Sequence, residues 1–419
     1  MLFEFSNQIL AAKLNLEKPK KEFVSSKIVT DSRKISKGDC FLALKGPNFN
    51  GHDFIDEALE RGASFIISEK NHPQDKKILV VNSTHECLSF LAKYQRKKFE
   101  GKVVGITGSN GKTSTKLLLS SLLSDKFNPS QIYVSPGNWN NFYGLCFSLL
   151  ELKKHHKFGI FEIGTNDFGE INELSSILQP EVGVITSIGK AHLEKLINLE
   201  GVAQEKSDIF KNVLLQGTCI FPDINAHLSE FHAKSHDKKI RSFSGDGLNA
   251  KKSNSKCVEA ILVSLGIENI SFDQIYNLSK DVVVPSRTEQ GYNSKGVLII
   301  DDTYNANPDS FKEAFRVLDS TDKENKICVI GDMKELGKDF QQEMKKIIDE
   351  ACKRFDNVFL FNSKFELSKE NVVKINIANA EEKIGSLLNK NTAILFKASR
   401  SVKICLLYTS PSPRDILKS

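Results

Sequence analysis

The feature that most constrains the fold is the stretch from Val103 to Leu123, VVGITGSNGKTSTKLLLSSLL. An apolar run of strand character breaks into glycine and small polar residues, meets Lys112, and resumes as a leucine-rich helical pattern. Glycines at such a turn let backbone N–H groups approach phosphate oxygens, and the following helix points its positive end at them. Lys112 would then reach the β/γ phosphates and the Thr113 hydroxyl would bind Mg²⁺. The stretch predicts a nucleotide-binding unit of strand, loop and helix.

The loop departs from the common phosphate-loop spacing G-x-x-x-x-G-K-[ST]. Counting back from Gly111 puts Ile106 where the first glycine belongs, and glycines stand instead at Gly105 and Gly108. The alternative interpretation is a glycine-rich turn with an incidental lysine. The motif indicates a nucleotide but does not specify a reaction.

Strands and helices alternate along most of the chain. The runs KVVGIT, FGIFEIG and VGVITSIG follow one another from Lys102, and a second series of GVLIIDD, KICVIGD, NVFLF and TAILFKAS begins near Val282. Such alternation predicts parallel sheets covered by helices on both faces, with ligands at the carboxyl ends of the strands. We therefore predict an α/β protein.

The length of 419 residues is too great for one ordinary core, so several domains are expected. Residues 1–84 mix short strand-like runs with one helical stretch, and residues 85–284 contain the glycine-rich loop. Pro285 punctuates the pattern, and residues 285–404 hold the second alternating series. Residues 405–419 are set apart as a tail.

Composition excludes several classes of protein. Apolar residues make up 40% and charged residues 26%, which is globular, and a net charge of +6 is far short of a nucleic-acid signature. The eight cysteines include no C-x-x-C pair, which argues against a zinc knuckle or disulfide framework. We find neither a convincing signal peptide nor an apolar run of about 18 residues. We expect a soluble cytoplasmic protein with no nucleic-acid partner and no membrane insertion.

The order T-G-S-N-G-K-T-S directly after a strand resembles the ATP loop of the Mur ligase superfamily, which activates a carboxylate and joins it to an amine. Further stretches follow in that family's order: GNWNNFYG, EIGTNDFGEI, IGKAHLEKL, LEGVAQEKSDIF, DDTYNANPDS and VIGDMKELG. DSRKISKGDCFLALKGPNFNGHDFI, near the N-terminus, fits the family's UDP-side domain. The similarity extends from about residue 25 to about residue 400.

The resemblance implies a three-domain Mur ligase architecture, with a central parallel-sheet ATPase domain and a Rossmann-like C-terminal domain. It implies that ATP phosphorylates the terminal carboxylate of UDP-N-acetylmuramoyl-tripeptide. The amino group of D-alanyl-D-alanine then attacks the acylphosphate, as a step in peptidoglycan precursor synthesis. The enzyme is expected to act as a monomer. The resemblance also assigns ATP binding to Thr107, Gly108, Ser109, Asn110, Gly111, Lys112, Thr113, Ser114, Arg287, Tyr304, Asn305 and Asp332.

A metal site fits this chemistry, because attack of a carboxylate on the γ-phosphate brings anions together and cations must separate them. Glu162 ends its strand as a hard oxygen ligand, although such a glutamate is also often a capping or surface group. His192 in AHLE matches a metal ligand of the family, and the alternative is a structural histidine. Lys206 would repel magnesium unless it is carbamylated by CO₂, as the matching family lysine is; otherwise it is a helix-surface lysine. We predict two Mg²⁺ ions held by Thr113, Glu162, His192 and Lys206, with the last three and Lys112 catalytic.

Substrate residues are implied in two places, at Ser32 and Arg33 for the UDP side and at Asn138, Asn140 and Asn141 for the peptide. Amide side chains can hold a peptide carboxylate without adding charge. Two positions depart from the family. Ser187 stands where asparagine is frequent, and Asp167 where histidine is frequent.

Alternative functions are another Mur-superfamily amide ligase, such as a different Mur step or folylpolyglutamate synthase, and a P-loop protein that binds nucleotide without ligating. The sequence at the end of the chain suggests a third alternative, which is an inactive protein product. CLLYTSPSPRD resembles translated adapter sequence, although a genuine Ser/Pro-rich tail is the alternative. If the tail is not native, the family's last strand and helix are missing. We then expect no regular structure after Ile404 and an unpaired sheet edge in the third domain.

Overall fold

The computed structural model describes most of the chain, and it divides into two compact units. The first unit contains the chain up to Gly105, Ser124–Ile163 and Glu173–Glu181; the second contains Ile106–Leu123, Gly164–Asn172 and the chain from Val182 onward. The described residues are 2, 4–46, 49–71, 77–245, 249–366 and 372–409.

Strands and helices alternate along both units. In chain order the strands are β1 Phe5–Ser6, β2 Val24–Ser25, β3 Ile28–Val29, β4 Cys40–Leu42, β5 Phe65–Ser68, β6 Ile78–Val80, β7 Lys102–Thr107, β8 Ile132–Val134, β9 Phe158–Glu162, β10 Val182–Ile185, β11 Thr218–Pro222, β12 Lys239–Phe243, β13 Glu289–Tyr292, β14 Leu298–Asp302, β15 Asn325–Ile330, β16 Asn357–Phe361, β17 Val372–Ile375 and β18 Thr392–Lys397. The α-helices are α1 Asn7–Lys13, α2 Ile55–Glu60, α3 Thr84–Lys98, α4 Lys112–Lys126, α5 Phe142–Leu150, α6 Glu170–Leu178, α7 Leu193–Leu196, α8 Leu199–Ser207, α9 Leu228–Ser235, α10 Ala250–Ser264, α11 Phe272–Asp281, α12 Pro308–Asp319, α13 Phe340–Arg354, α14 Ala380–Ile384 and α15 Leu406–Thr409.

The N-terminal part of the first unit is built on a parallel sheet in the order β3-β4-β5-β6, with a short antiparallel pair of β1 and β2. Its strands are short apolar runs, and Phe41 and Ile66 are fully buried in a core that includes Ile55 and Ala58 of α2. The short strand-like runs expected in residues 1–84 are confirmed, since the apolar runs CFL, FIIS and ILV form β4, β5 and β6.

Strand β7, which leads into the glycine-rich loop, begins in the first unit and ends in the second. In the first unit β8 and β9 pair in parallel, and the Glu181 N–H donates to the Val103 carbonyl at 3.0 Å. In the second unit β10, β11 and β12 pair in parallel, and the Thr186 N–H donates to the Thr107 carbonyl at 2.9 Å. The loops after β7 and β10 therefore meet within the second unit.

The sheet of the C-terminal region lies wholly in the second unit, in the order β13-β14-β18-β15-β16-β17. Its strands are parallel except β13, which runs antiparallel to β14. Strand β18 pairs with β14 on one side and β15 on the other. Strand β18, the last strand among the described residues, therefore lies inside its sheet, whereas the edge strands β13 and β17 each pair on one side only. The expectation of an edge left open by a missing strand stays a prediction.

The expectation that no regular structure follows Ile404 is also wrong for the residues that the structure describes. Leu406–Thr409 form the short helix α15. Ile404 and Leu407 are buried in an apolar cluster with Phe396 and Val329, because residues three apart on a helical turn face the same side. Residues 410–419 lie outside the described part of the chain.

Helix starts agree with local sequence signals. Asn307 caps α12, because its side chain accepts from the Ser310 N–H and its own backbone N–H donates to the Ser310 side chain. Pro308 stands in the first helical turn. Among the described residues, no helix is both long and apolar enough to cross a membrane.

Candidate active site

The glycine-rich loop connects β7 to α4 and forms a cradle of backbone. Gly108 has φ 146° and Gly111 has φ 83°, backbone conformations that residues with a side chain rarely adopt. A Cβ at Gly108 would overlap the Thr186 hydroxyl. Lys112 Nζ donates to the Gly108 carbonyl at 2.6 Å, so the lysine folds back over the loop. This geometry suits a phosphate chain beside the N-terminus of α4.

The loop after β10 holds the cradle in place. Thr186 Oγ1 donates to the Asn110 carbonyl at 2.5 Å. Ser187 Oγ accepts from the Asn110 N–H at 2.8 Å and donates to its carbonyl at 3.0 Å. The Ser109 side chain likewise bonds both backbone groups of Gly189. Ser187, which departs from the family pattern, thus supports the loop directly.

Arg287 reaches the cradle from the C-terminal region. Its Nη2 donates to Thr113 Oγ1 at 3.1 Å, and its guanidinium lies 4.2 Å from the ring centroid of Tyr304. Arg400 lies on the same ring at 5.8 Å. Two arginines around one aromatic ring make a positively charged wall next to the loop.

Asn305 and Asp332 lie in the same region, and both already form hydrogen bonds within the protein. The Asn305 carbonyl accepts from the buried Lys397 at 3.2 Å, and its side chain bonds to Glu335. The Asp332 carboxylate is buried and accepts from Ser363 Oγ at 2.5 Å and from the Lys364 N–H at 3.1 Å. The Asp332 carboxylate is therefore already bonded within the C-terminal region, and its contact with a nucleotide stays a prediction.

A buried group of charged and titratable side chains follows the loop. His192 adopts a left-handed conformation with φ 57° before α7, and its Nδ1 lies 3.2 Å from Glu335 Oε2. Burial, with Lys206 and Lys112 nearby, lowers the pKa of His192 to about 3. The imidazole is therefore neutral at ordinary pH and available as a ligand.

Lys206 is almost fully buried on α8, so the alternative of a surface lysine is wrong. Burial and then the charge of Lys112 lower the pKa of Lys206 to about 7. Burial also raises the pKa of Glu335, against the opposing effect of Lys112. A buried amine with such a pKa is neutral in a large fraction of molecules near neutral pH.

In the first unit, Glu162 lies beside Asn140, one of three predicted substrate asparagines. Glu162 is buried at the end of β9, where its Oε1 accepts from Asn140 Nδ2 at 3.0 Å. Asn141 Oδ1 caps α5 by accepting from the Gly144 N–H at 2.9 Å, which gives this residue a structural task. The Asn138 carbonyl accepts from the Asn140 N–H at 2.7 Å.

Ser32 and Arg33, also in the first unit, differ in exposure. Ser32 is buried and donates to Glu57 Oε2 at 2.6 Å. Arg33 is exposed and pairs with Asp31 through Nε and Nη2 at 2.8 and 2.9 Å. Their role toward a substrate stays a prediction.

The donor set tests whether magnesium fits. Among the described residues, no group of three or more His, Cys, Asp or Glu side chains could hold a metal ion. The second unit offers the Thr113 hydroxyl, neutral His192 and Lys206, which lacks the anionic oxygen that Mg²⁺ prefers. A carbamate on Lys206 would supply that oxygen, so the residues fit the metal with this modification.

Sequence reasoning missed three residues of the site. Glu335 pairs with His192, Asn307 bonds to Asn110, and Asn254 lies against the loop, since a Cβ at Gly111 would meet its Oδ1 at 2.5 Å. Asn307 belongs to the DDTYNANPDS stretch and Glu335 to VIGDMKELG, which were recognised as motifs without these roles.

The class of protein follows from matches along the chain. Residues 25–96 match the model of the Mur ligase family catalytic domain, residues 106–275 that of the Mur ligase middle domain, and residues 286–400 that of the Mur ligase glutamate ligase domain. The chain belongs to the Mur ligase family. It is an ATP-dependent carboxylate–amine ligase with the three-domain α/β architecture of that family.

Particular members of the family agree over nearly the whole chain. A UDP-N-acetylmuramoyl-tripeptide–D-alanyl-D-alanine ligase of Rickettsia prowazekii is 31% identical, covering 89% of this chain and 92% of that protein. The structure of MurF from Acinetobacter baumannii matches with a TM-score of 0.84 and 29% identity, covering 96% of this chain and 97% of that one. MurF ligase from Thermotoga maritima in complex with ADP matches with a TM-score of 0.81 and 29% identity, covering 90% and 95%. The predicted family and fold are confirmed.

Proposed function

We propose that this ligase joins D-alanyl-D-alanine to UDP-N-acetylmuramoyl-tripeptide in peptidoglycan precursor synthesis. A carboxylate oxygen of the tripeptide attacks the γ-phosphorus of ATP, and the bond to the β–γ bridging oxygen breaks to release ADP. The free amine of the dipeptide then attacks the acylphosphate carbon. Phosphate leaves, the amine loses a proton, and the amide remains.

The observation that carries this proposal is the agreement of about nine-tenths of the chain with ligases of that name at about 30% identity. The match is spread over all three family domains, including the N-terminal region that would hold the UDP end. A protein that only binds nucleotide would not need that region or the buried Lys206.

Charge in the second unit supports the phosphoryl-transfer step. Two cations reach the loop, because Lys112 Nζ bonds to the Gly108 carbonyl and Arg287 Nη2 bonds to Thr113 Oγ1. Each side chain is only part-buried, and each bonds to a protein oxygen that a phosphate oxygen could replace. They would neutralise the charge that develops on the transferred group.

Lys206 is the proposed source of an anionic metal ligand in addition to Glu162. Its neutral amine nitrogen attacks the carbon of CO₂, forming an N–C bond and losing one proton, and the product is a carbamate anion. The depressed pKa of Lys206, near 7, favours the neutral amine that this reaction needs. Thr113, Glu162, His192 and carbamylated Lys206 would hold Mg²⁺, which supplies charge neutralisation between the reacting anions when bound.

Substrate contacts are proposed for the first unit. Asn140, fixed on Glu162 at 3.0 Å, and Asn138 would face the peptide, with Asn141 contributing beyond its cap. Ser32 and Arg33 would face the UDP end, where an arginine suits a diphosphate.

We also propose domains at residues 1–84, 85–284 and 285–404 and a monomeric state. We propose a cytoplasmic location as well, and the eight free cysteines support it.

The decisive assay measures phosphate release from ATP with the UDP-tripeptide, with and without D-alanyl-D-alanine. We expect release that requires all three substrates and gives the UDP-pentapeptide by mass spectrometry. An acceptor panel that includes L-glutamate with a folate substrate separates this activity from folylpolyglutamate synthesis. Turnover only with the folate pair would overturn the proposed substrates while leaving the ligase class intact.

A further inference from the structure

A reciprocal pair of amides joins the phosphate loop to the C-terminal region inside the second unit. Asn307 Nδ2 donates to Asn110 Oδ1 at 2.8 Å, and Asn110 Nδ2 donates to Asn307 Oδ1 at 3.3 Å. The two residues are 197 positions apart in the chain. Each amide offers one N–H donor and its oxygen to the other, so one donor and the oxygen of each side chain are bonded within the pair.

The loop side of this pair is held firmly. The Asn110 backbone is bonded on both its N–H and its carbonyl by Thr186 and Ser187, at distances of 2.5 to 3.0 Å. Its side chain is therefore presented from a fixed backbone.

The other side is equally fixed. Asn307 is buried and caps α12, with its Oδ1 accepting from the Ser310 N–H at 2.9 Å. The same oxygen thus serves the helix cap and the loop. Asn307 Nδ2 has no share in the cap and is bonded to Asn110 instead.

The pair lies at one end of the segment that carries Tyr304. Buried Lys397 holds the residues on both sides of Tyr304, bonding to Asp302 Oδ2 at 2.5 Å and to the Asn305 carbonyl at 3.2 Å. Arg287 stacks on Tyr304 and reaches Thr113. When both ends of the segment are held, Arg287 is placed at the phosphate loop.

We propose that Asn110 and Asn307 are positioning residues that latch the C-terminal region onto the phosphate loop and so set Arg287 for ATP. This proposal rests on the proposed function, because it takes ATP as the bound nucleotide. It acts on how the nucleotide is held, so its main effect is on the affinity for ATP. We expect loss of the pair to weaken the affinity for ATP by about tenfold, which corresponds to about 1.4 kcal/mol.

The test separates the latch from the helix cap. Asn307→Ser keeps a good capping oxygen but is too short to reach Asn110, whereas Asn307→Ala loses both functions. We expect both variants to raise KM for ATP by about tenfold, with kcat much less changed. Only Asn307→Ala should also lower Tm, by roughly 2 to 4 °C. The control Asn128→Ser alters a capping asparagine of a short 3-10 helix in the first unit and should leave KM unchanged.

A double-mutant cycle identifies the partner. Asn110→Ala combined with Asn307→Ser should raise KM for ATP no more than the larger single change, since the second substitution has no bond left to remove. Fully additive effects, or an unchanged KM in Asn307→Ser, would overturn the latch. ATP affinity measured by calorimetry keeps the two proposals apart. Wild-type protein that binds ATP but does not ligate contradicts the substrates, whereas equal ATP affinity in wild type and Asn307→Ser contradicts the latch.

Discussion

The two halves of the nucleotide site are built in different ways. The middle-domain half is one continuous segment, Thr107–Ser114, whose shape is set by Gly108 and Gly111 in backbone conformations that other residues rarely adopt. The C-terminal half consists of side chains from separate elements, with Arg287, Tyr304 and Glu335 reaching inward. The half that consists of backbone is determined by a short stretch of sequence. The half that consists of side chains forms only once distant parts of the chain have folded together.

The two halves of the nucleotide site also differ in the charged residues that they contribute. Around the middle-domain half, Lys112 lies near His192 and Lys206. Burial and then the charges of Lys206 and Lys112 lower the pKa of His192, and burial and then the charge of Lys112 lower the pKa of Lys206. The C-terminal half contributes Glu335, 3.2 Å from His192. The comparison predicts that changes in the middle-domain half reduce the rate of chemistry most, and that changes in the other half chiefly weaken binding of nucleotide and metal.

The largest effect is expected for Lys112→Ala. This removes a cation from the phosphate cradle, and we expect kcat to fall on the order of a hundredfold to a thousandfold. The side chain bonds to a loop carbonyl and is only part-buried, so Tm should change little. Lys126→Ala at the far end of the same helix is the matched control and should keep full activity. Near wild-type turnover in Lys112→Ala would remove this lysine from the mechanism.

The next effect is expected for Lys206→Ala. We expect at least about a hundredfold loss of ligation, because the proposed carbamate ligand is gone. Added formate or acetate should restore part of the rate by occupying the vacated space. Lys211→Ala, which changes an exposed lysine paired with Asp208, serves as the control. Full activity of Lys206→Ala in CO₂-depleted buffer would contradict a carbamate.

Carbamylation of Lys206 should depend on pH with a midpoint near its lowered pKa of about 7. Because burial lowers the pKa in the folded state, the neutral amine and hence the carbamate increase as pH rises through 7. Below that pH the neutral fraction falls about tenfold per unit. The unfolded chain binds more protons here between pH 7 and the ordinary value of 10.5, so the free energy of unfolding also rises with pH in that interval.

The measurement is a ¹³C NMR titration of metal-free protein in labelled bicarbonate. Lys206→Ala should lack the carbamate resonance at every pH. A resonance that appears only near pH 10 would contradict the lowered pKa.

The smallest of these effects is expected for Glu335→Gln, in the C-terminal half. The amide retains the size of the side chain but loses the charge that orients His192 through Nδ1. We expect Mg²⁺ affinity to fall about tenfold, with kcat at saturating metal nearly unchanged. Calorimetry of Mn²⁺ binding measures this without turnover, and Glu381→Gln, on an exposed carboxylate of the same region, is the control. A loss of kcat that excess metal does not recover would place Glu335 in the chemical step.

The difference between the halves explains how far the sequence could be interpreted. The loop, its strand and its helix were predictable from Gly108, Gly111 and Lys112, because their geometry is local. The parallel sheets followed from alternating apolar runs. The bond between Asn110 and Asn307 was not predictable, since nothing in either segment specifies contact across 197 positions. The central place of β18 was also missed, because periodicity identifies a strand but carries no information about its neighbours.

The central place of β18 has a consequence for how the protein is made. The strands β3, β4, β5 and β6 are adjacent in chain order, so the N-terminal sheet can form while the rest is still being translated. In the C-terminal sheet, β14 and β15 wait for Thr392–Lys397 to leave the ribosome before the gap between them is filled. At about 5 to 20 residues per second, the chain between the end of β15 and the end of β18 takes roughly 3 to 13 seconds to synthesise. During that time two apolar strand edges are open to chaperones or to other nascent chains. The half of the nucleotide site that binds through side chains is therefore completed later during synthesis than the phosphate loop.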